Sequence, residues 1–159
     1  LSCNPQLLIA DEPTTALDVT IEAQILALIK EIQQELGMGL VIITHDFGVI
    51  GEMADRVVVM YMGKVAESAR STELLKEPKH PYTAALLKSL PKIGPRDKLA
   101  SIKGSVPNPY QVPRGCPFAP RCDHAMDICR KQYPPTFVPD SGHAVACWLY
   151  KDSKVALSE

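Results

Sequence analysis

The run Leu7-Leu8-Ile9-Ala10 passes directly into Asp11-Glu12-Pro13, and this junction restricts the fold more than any other feature of the chain. Four apolar residues followed at once by two acids read as a buried parallel strand. Its C-terminal edge then presents carboxylates, at the edge where open α/β sheets put their ligands. After Asp18, a residue type suited to an N-cap, Ile21, Ile25, Leu28, Ile29, Ile32 and Leu36 keep helical spacing. Gly37 stops the helix where a left-handed residue costs least. Gly39 leads into a second apolar run at 40–43 and then Thr44, His45 and Asp46, so a second buried parallel strand also ends in polar groups. Strand, helix and strand in this order specify an α/β fold, and they put His45 on the same sheet edge as Asp11 and Glu12. Taken singly, each feature has a plainer reading. Acids at a strand end often just cap the next helix, and a lone His after a strand is more often a hydrogen-bonded structural residue.

The rest of the chain narrows the class. With 159 residues, 46% hydrophobic and 22% charged, it has material for one modest core plus a small appendix. A net charge of −1 supplies no basic surface, which excludes nucleic acid as a partner. The longest apolar runs, 40–43 and 57–62, fall far below the roughly 18 residues needed to span a bilayer, and no charged segment precedes an apolar one at the start. A cytoplasmic protein is expected. A short helix is predicted over 47–54, a strand over 56–61, a turn at Met62-Gly63 and a return strand over 64–67. Gly63-Lys64 is no phosphate loop, because no glycine stands five residues earlier and Val65 follows the lysine. Neither GxxxxGK[ST] nor an LSGGQ-type signature occurs anywhere in the chain.

Two helices are expected over 71–90, one capped by Ser71 and one with Pro81 in its first turn. A proline-dense extended linker should follow over 91–121, with a domain boundary near Lys92. Four of the five cysteines, Cys116, Cys122, Cys129 and Cys147, lie in the last third, a loop-rich stretch with too few apolar residues for a core of its own. A staple is therefore expected. Disulfides are disfavoured in a cytosolic protein, and no Cys-x2-4-Cys knuckle is present, so a cluster suits the spacing better than zinc. Arg114, Arg121 and Arg130 would offset its charge, and His124 and His143 would substitute if one cysteine were free. Cys3 reads as a small buried residue.

The contiguous residues LLIADEPTTALD, Leu7 to Asp18, resemble the Walker B strand and D-loop of ABC transporter ATPases, and Thr44-His45-Asp46 resembles their switch histidine. The resemblance implies an α/β fold in which residues 1–92 are the C-terminal part of a P-loop, ABC-type ATPase domain. It implies that Asp11 holds Mg²⁺ through water and that Glu12 polarises the water attacking the γ-phosphate of ATP. His45 would sense that phosphate, and Asp18 would serve communication across a nucleotide-bound dimer. His80-Pro81-Tyr82-Thr83 resembles the segment that closes the ATPase domain in the oligopeptide and dipeptide importer branch. There, an extension corresponding to residues 93–159 carries four such cysteines around a 4Fe-4S cluster, with Zn²⁺ the alternative occupant. The implied function is ATP hydrolysis that powers peptide import at the cytoplasmic face of the membrane, as a peripheral protein. The implied partners are a second ATPase subunit, two transmembrane permease subunits and, indirectly, an extracytoplasmic peptide-binding protein. Alternatives are the ATPase of a related nickel or sugar importer and a noncatalytic metal-binding or docking module. Without its phosphate loop, glutamine loop and signature, the chain by itself is expected to be inactive.

Overall fold

In the computed structural model, residues 5–90, 101–108, 110 and 113–156 are described. Strand β1 (Leu7–Asp11), helix α1 (Val19–Leu36) and strand β2 (Gly39–Ile43) form the expected unit, followed by α2 (Phe47–Met53). The strands pair in parallel, from Leu7 opposite Gly39 to Asp11 opposite Ile43. Gly37 closes α1 at φ 60°, and the amides of Gly37 and Met38 return to the carbonyls of Gln34 and Gln33. Among the described residues of this unit, Leu26, Met38 and Val49 are the buried side chains.

The strands depart from expectation in burial. Leu7, Ile9, Val41 and Ile43 are exposed, while Leu8, Ala10, Leu40 and Ile42 are only half-buried. A two-stranded sheet alternates its side chains between two faces, so a continuous apolar run leaves every second residue outside unless both faces are covered. Helix α1 behaves likewise. Ile25, Leu26, Ile29 and Ile32 turn inward, whereas Ile21, Leu28 and Leu36 are exposed.

A second unit begins at Arg56, the chain dividing into Leu1–Asp55 and Arg56–Glu159. Strands β3 (Arg56–Tyr61) and β4 (Lys64–Arg70) form an antiparallel hairpin. Its turn uses Met62 and Gly63, both at positive φ, which suits the right-handed twist of the flanking strands. Helices α3 (Ser71–Lys76) and α4 (Pro81–Ser89) follow, then a short 3₁₀ turn at Ala119–Arg121 and α5 (Asp127–Lys131). Strands β5 (Phe137–Asp140), β6 (His143–Val145) and β7 (Lys154–Val155) complete a five-stranded antiparallel sheet in the order β3-β4-β6-β5-β7. The fold is thus mixed α/β, with a parallel and an antiparallel sheet.

No distinct Cys-rich module is resolved, which corrects the expectation of a separate appendix. The last third, expected to lack a core, has a small buried cluster of its own and is further held by strand pairing. Glu67 and Ser68 of β4 stand opposite Val145 and Ala144 of β6, and Phe137, Val145 and Cys147 pack together with Trp148 and Tyr150. Tyr61, Tyr82 and Phe118 form a second contact set, with ring centroids 4.6 to 5.5 Å apart. Arg121 acts as a strut, donating to the carbonyls of Lys103 and Ile102 and to the Tyr61 hydroxyl. The boundary near Lys92 and Cys3 lie outside the described residues.

A fully buried carboxylate joins these pieces. Glu67 accepts from the amides of Lys79 (2.6 Å) and His80 (3.1 Å) and lies 2.7 Å from His143 Nε2. Lys79 in turn reaches Asp140 at 2.8 Å and holds its carboxyl below the usual range. His80 is the N-cap of α4, its Nδ1 accepting from the Tyr82 amide at 3.0 Å. Burial pushes its imidazole from 6.5 down to about 4, against the opposing pull of Glu67. Because the unfolded chain takes up this proton more readily, the His80 contribution is complete above about pH 6.5 and is lost as pH falls toward 4. The loss should reach about 3 kcal/mol. Urea unfolding at pH 7 and pH 4.5 is the check, with His80→Asn keeping a cap oxygen but not the proton. The wild type should lose more stability on acidification than the variant; equal losses would contradict the assignment.

Candidate functional site

Strand β1 delivers its acids as the alternation of strand and turn dictates. Asp11 is its last residue and is exposed. The Glu12 amide still donates to the Ile43 carbonyl at 2.8 Å, and then the backbone leaves the ladder with Glu12 in the left-handed region at φ 45°. Such a conformation is uncommon for a residue with a side chain and turns Glu12 back toward the end of β2. A hydrogen-bonded turn follows, in which the Thr15 amide donates to the Glu12 carbonyl at 3.2 Å and the Leu17 amide to Thr14 at 3.1 Å.

Both oxygens of the Glu12 carboxylate are engaged. The Thr15 hydroxyl donates to Oε2 at 2.9 Å, and His45 Nδ1 lies 3.3 Å from Oε1. The Thr15 hydroxyl first, and then His45, hold this carboxyl below the usual glutamate range. The side chains of His45 and Glu12 remain 80% and 48% exposed, so the pair is open to solvent on one side. A carboxylate fixed at a sheet edge, ionised and open to water, can accept a proton from a positioned water molecule.

Asp18 lies at the start of α1, where its Oδ1 accepts from the amides of Thr20 (3.1 Å) and Ile21 (3.0 Å). Asp18→Ala should therefore weaken α1 by about 1 kcal/mol, read as faster amide exchange in its first turn. Unchanged exchange would remove the cap from the account. Asp46 caps α2 in the same way, accepting from Gly48 at 2.6 Å. Of the residues singled out in sequence, Glu12 and His45 meet, Asp11 shares their strand edge, and Asp18 sits six residues beyond Glu12 at a helix start.

The four cysteines come together without forming a metal centre. Cys116, Cys122, Cys129 and Cys147 line one mostly apolar cavity with His80 and Trp148. Gly115 permits the approach, because a Cβ there would collide with the Cys129 carbonyl that accepts from the Cys116 amide at 2.7 Å. All four are free thiols. Burial pushes the Cys116, Cys122 and Cys147 thiols up, Cys147 to about 11. Among the described residues no group of three or more His, Cys, Asp or Glu side chains is placed to hold a metal ion. This overturns the 4Fe-4S cluster and the Zn²⁺ alternative at Cys116, Cys122, Cys129 and Cys147. Nor is His143 a substitute ligand, being engaged by Glu67.

Sequence reasoning missed Thr15 and the Glu67 to His143 pair. The second left little signal, since β4 reads KVAESAR and a glutamate beside a lysine, a serine and an arginine does not stand out. Among the described residues no helix is long and apolar enough to cross a membrane.

Residues 66–129 match the family described as the oligopeptide/dipeptide transporter, C-terminal region. The oligopeptide transport ATP-binding protein AppD of Bacillus subtilis is 56% identical over 153 residues, covering 96% of this chain and 47% of that protein. The dipeptide transport ATP-binding protein DppD of the same organism is 49% identical over 150 residues, covering 94% of the chain and 45% of the relative. A solved structure, cbiO1 from Clostridium perfringens, part of the ABC transporter complex cbiONQ, aligns over 46% of this chain and 29% of its own. It does so at 38% identity and a TM-score of 0.43. The chain spans about half the length of the curated relatives it matches.

Proposed function

Because the chain belongs to the ATP-binding subunits of ABC transporters, related to the oligopeptide and dipeptide import ATPases and corresponding to their C-terminal region, we propose that it carries the water-activating edge of a subunit that hydrolyses ATP to drive peptide import. The observation that carries this reading is the 3.3 Å approach of His45 to Glu12 at the C-terminal edge of the parallel strands. Glu12 takes the proton of the attacking water. His45 restrains that carboxylate, and its other ring nitrogen would be the group that contacts the γ-phosphate of a bound nucleotide. Asp11, a single exposed carboxylate at the strand end, suits a cation that takes one or two protein oxygens beside phosphates. Mg²⁺ bound there with the nucleotide would offset charge on the transferred phosphoryl group. Asp18 fixes the start of α1 and serves contact with a second ATPase subunit.

In this reading residues 1–92 are the C-terminal part of a P-loop, ABC-type ATPase domain and residues 93–159 are its C-terminal extension. The subunit docks peripherally, at the cytoplasmic face, on two transmembrane permease subunits that receive peptide from an extracytoplasmic binding protein. The oligopeptide and dipeptide transport for which AppD and DppD are named supports peptide as the solute. The test is peptide-stimulated ATP turnover in vesicles holding the permease and a subunit in which this chain is joined to an upstream phosphate-loop half. His45→Ala should abolish the stimulated turnover while nucleotide binding persists. Stimulation by nickel or a sugar and not by peptide would replace the substrate, and normal turnover in the variant would remove the role of His45.

A further inference from the structure

The geometry points to Thr15 as a positioning residue for the carboxylate of Glu12, an inference that rests on reading Glu12 as the group that takes the proton from water. The turn after β1 brings its fourth residue back over its first. The backbone bond from the Thr15 amide to the Glu12 carbonyl closes that turn by itself, so the hydroxyl is not needed to make it. Instead the hydroxyl reaches the carboxylate, at 2.9 Å from Oε2.

A half-exposed glutamate has three side-chain torsions and in isolation samples several rotamers. Here His45 alone restrains Oε1 weakly, since its contact is 3.3 Å long and its ring is 80% exposed. The shorter Thr15 bond on the opposite oxygen turns this single contact into a two-point attachment. With one lone pair of Oε2 taken by Thr15 and one of Oε1 facing His45, the second lone pair of each oxygen is left for water and is held in a fixed direction. Thr15 thereby sets where the proton acceptor points, without itself touching substrate.

Side-chain carbon-13 NMR of Glu12 in this chain, at one neutral pH, tests the attachment. In the wild type the three-bond couplings should report one dominant rotamer. Thr15→Val, which keeps the shape and removes the hydroxyl, should average them, and Thr15→Ser should restore them. Should valine open the turn, as seen in the amide shifts of Thr15 and Leu17, Thr15→Ala replaces it in the comparison. In the joined subunit, Thr15→Val should lower kcat about ten- to a hundredfold with KM unchanged. Thr15→Ser should recover most of the loss. Wild-type couplings in both hydroxyl-free variants, or a serine variant as impaired as valine, would overturn the proposal. Normal turnover of Glu12→Gln would instead remove the base while leaving the coupling result standing, so the two failures are distinguishable.

Discussion

Replacing Glu12 by Gln in a joined, full-length subunit is expected to lower ATP turnover by about a hundred- to ten-thousandfold while nucleotide binding is kept. The amide retains the shape of the side chain and can still accept the Thr15 hydroxyl bond, but it cannot take a proton from water. A subunit that binds nucleotide without consuming it should accumulate in its nucleotide-bound dimer, which size-exclusion chromatography with ATP would detect. Such a change in turnover without a change in affinity is the signature of a group that acts only in the transition state. Loss of binding together with turnover would make Glu12 a structural residue at a strained turn.

The second large effect belongs to Glu67. Its carboxylate is wholly buried and receives two backbone amides and His143. Glu67→Ala leaves the buried His80 amide and His143 ring and the half-buried Lys79 amide without this acceptor and should destabilise the Arg56–Glu159 unit by about 4 kcal/mol. Glu67→Gln keeps the volume but turns an N–H group toward donors, and should cost about 2 kcal/mol. Urea denaturation, with amide exchange resolved for β4, β5 and β6, measures both. A loss below about 1 kcal/mol for the alanine variant would show that strand pairing alone holds β6 to β4.

Legibility in the sequence followed the range of the interactions. The β1-α1-β2 unit was readable because each signal is local: apolar run, helical spacing, Asp18 at the cap and Gly37 at the left-handed end. The meeting of Glu12 with His45 followed from two strands that end in polar residues at one edge of a parallel sheet. Burial was not readable, since the same apolar run serves a strand covered on both faces and one covered on a single face, as exposed Ile9 and Val41 beside half-buried Leu8 and Ile42 show. The Cys-rich stretch misled for a related reason. The stretch was expected to need a staple, but it holds a buried cluster around Phe137 and Val145 and pairs with a distant strand, and a link such as Glu67 to His143, 76 residues apart, leaves no local trace. Cysteines pack as small, soft residues against apolar surface, and their spacing in sequence carries no ligand geometry.

The measurement that tests the central claim most directly is Mg-ATP hydrolysis by the 159-residue chain alone, by an upstream phosphate-loop half alone, and by the two joined. The account predicts turnover only in the joined protein, because one half positions the phosphates and the other supplies Glu12 and His45. Turnover by either half alone, or a joined protein that folds and binds ATP without hydrolysing it, would contradict the account.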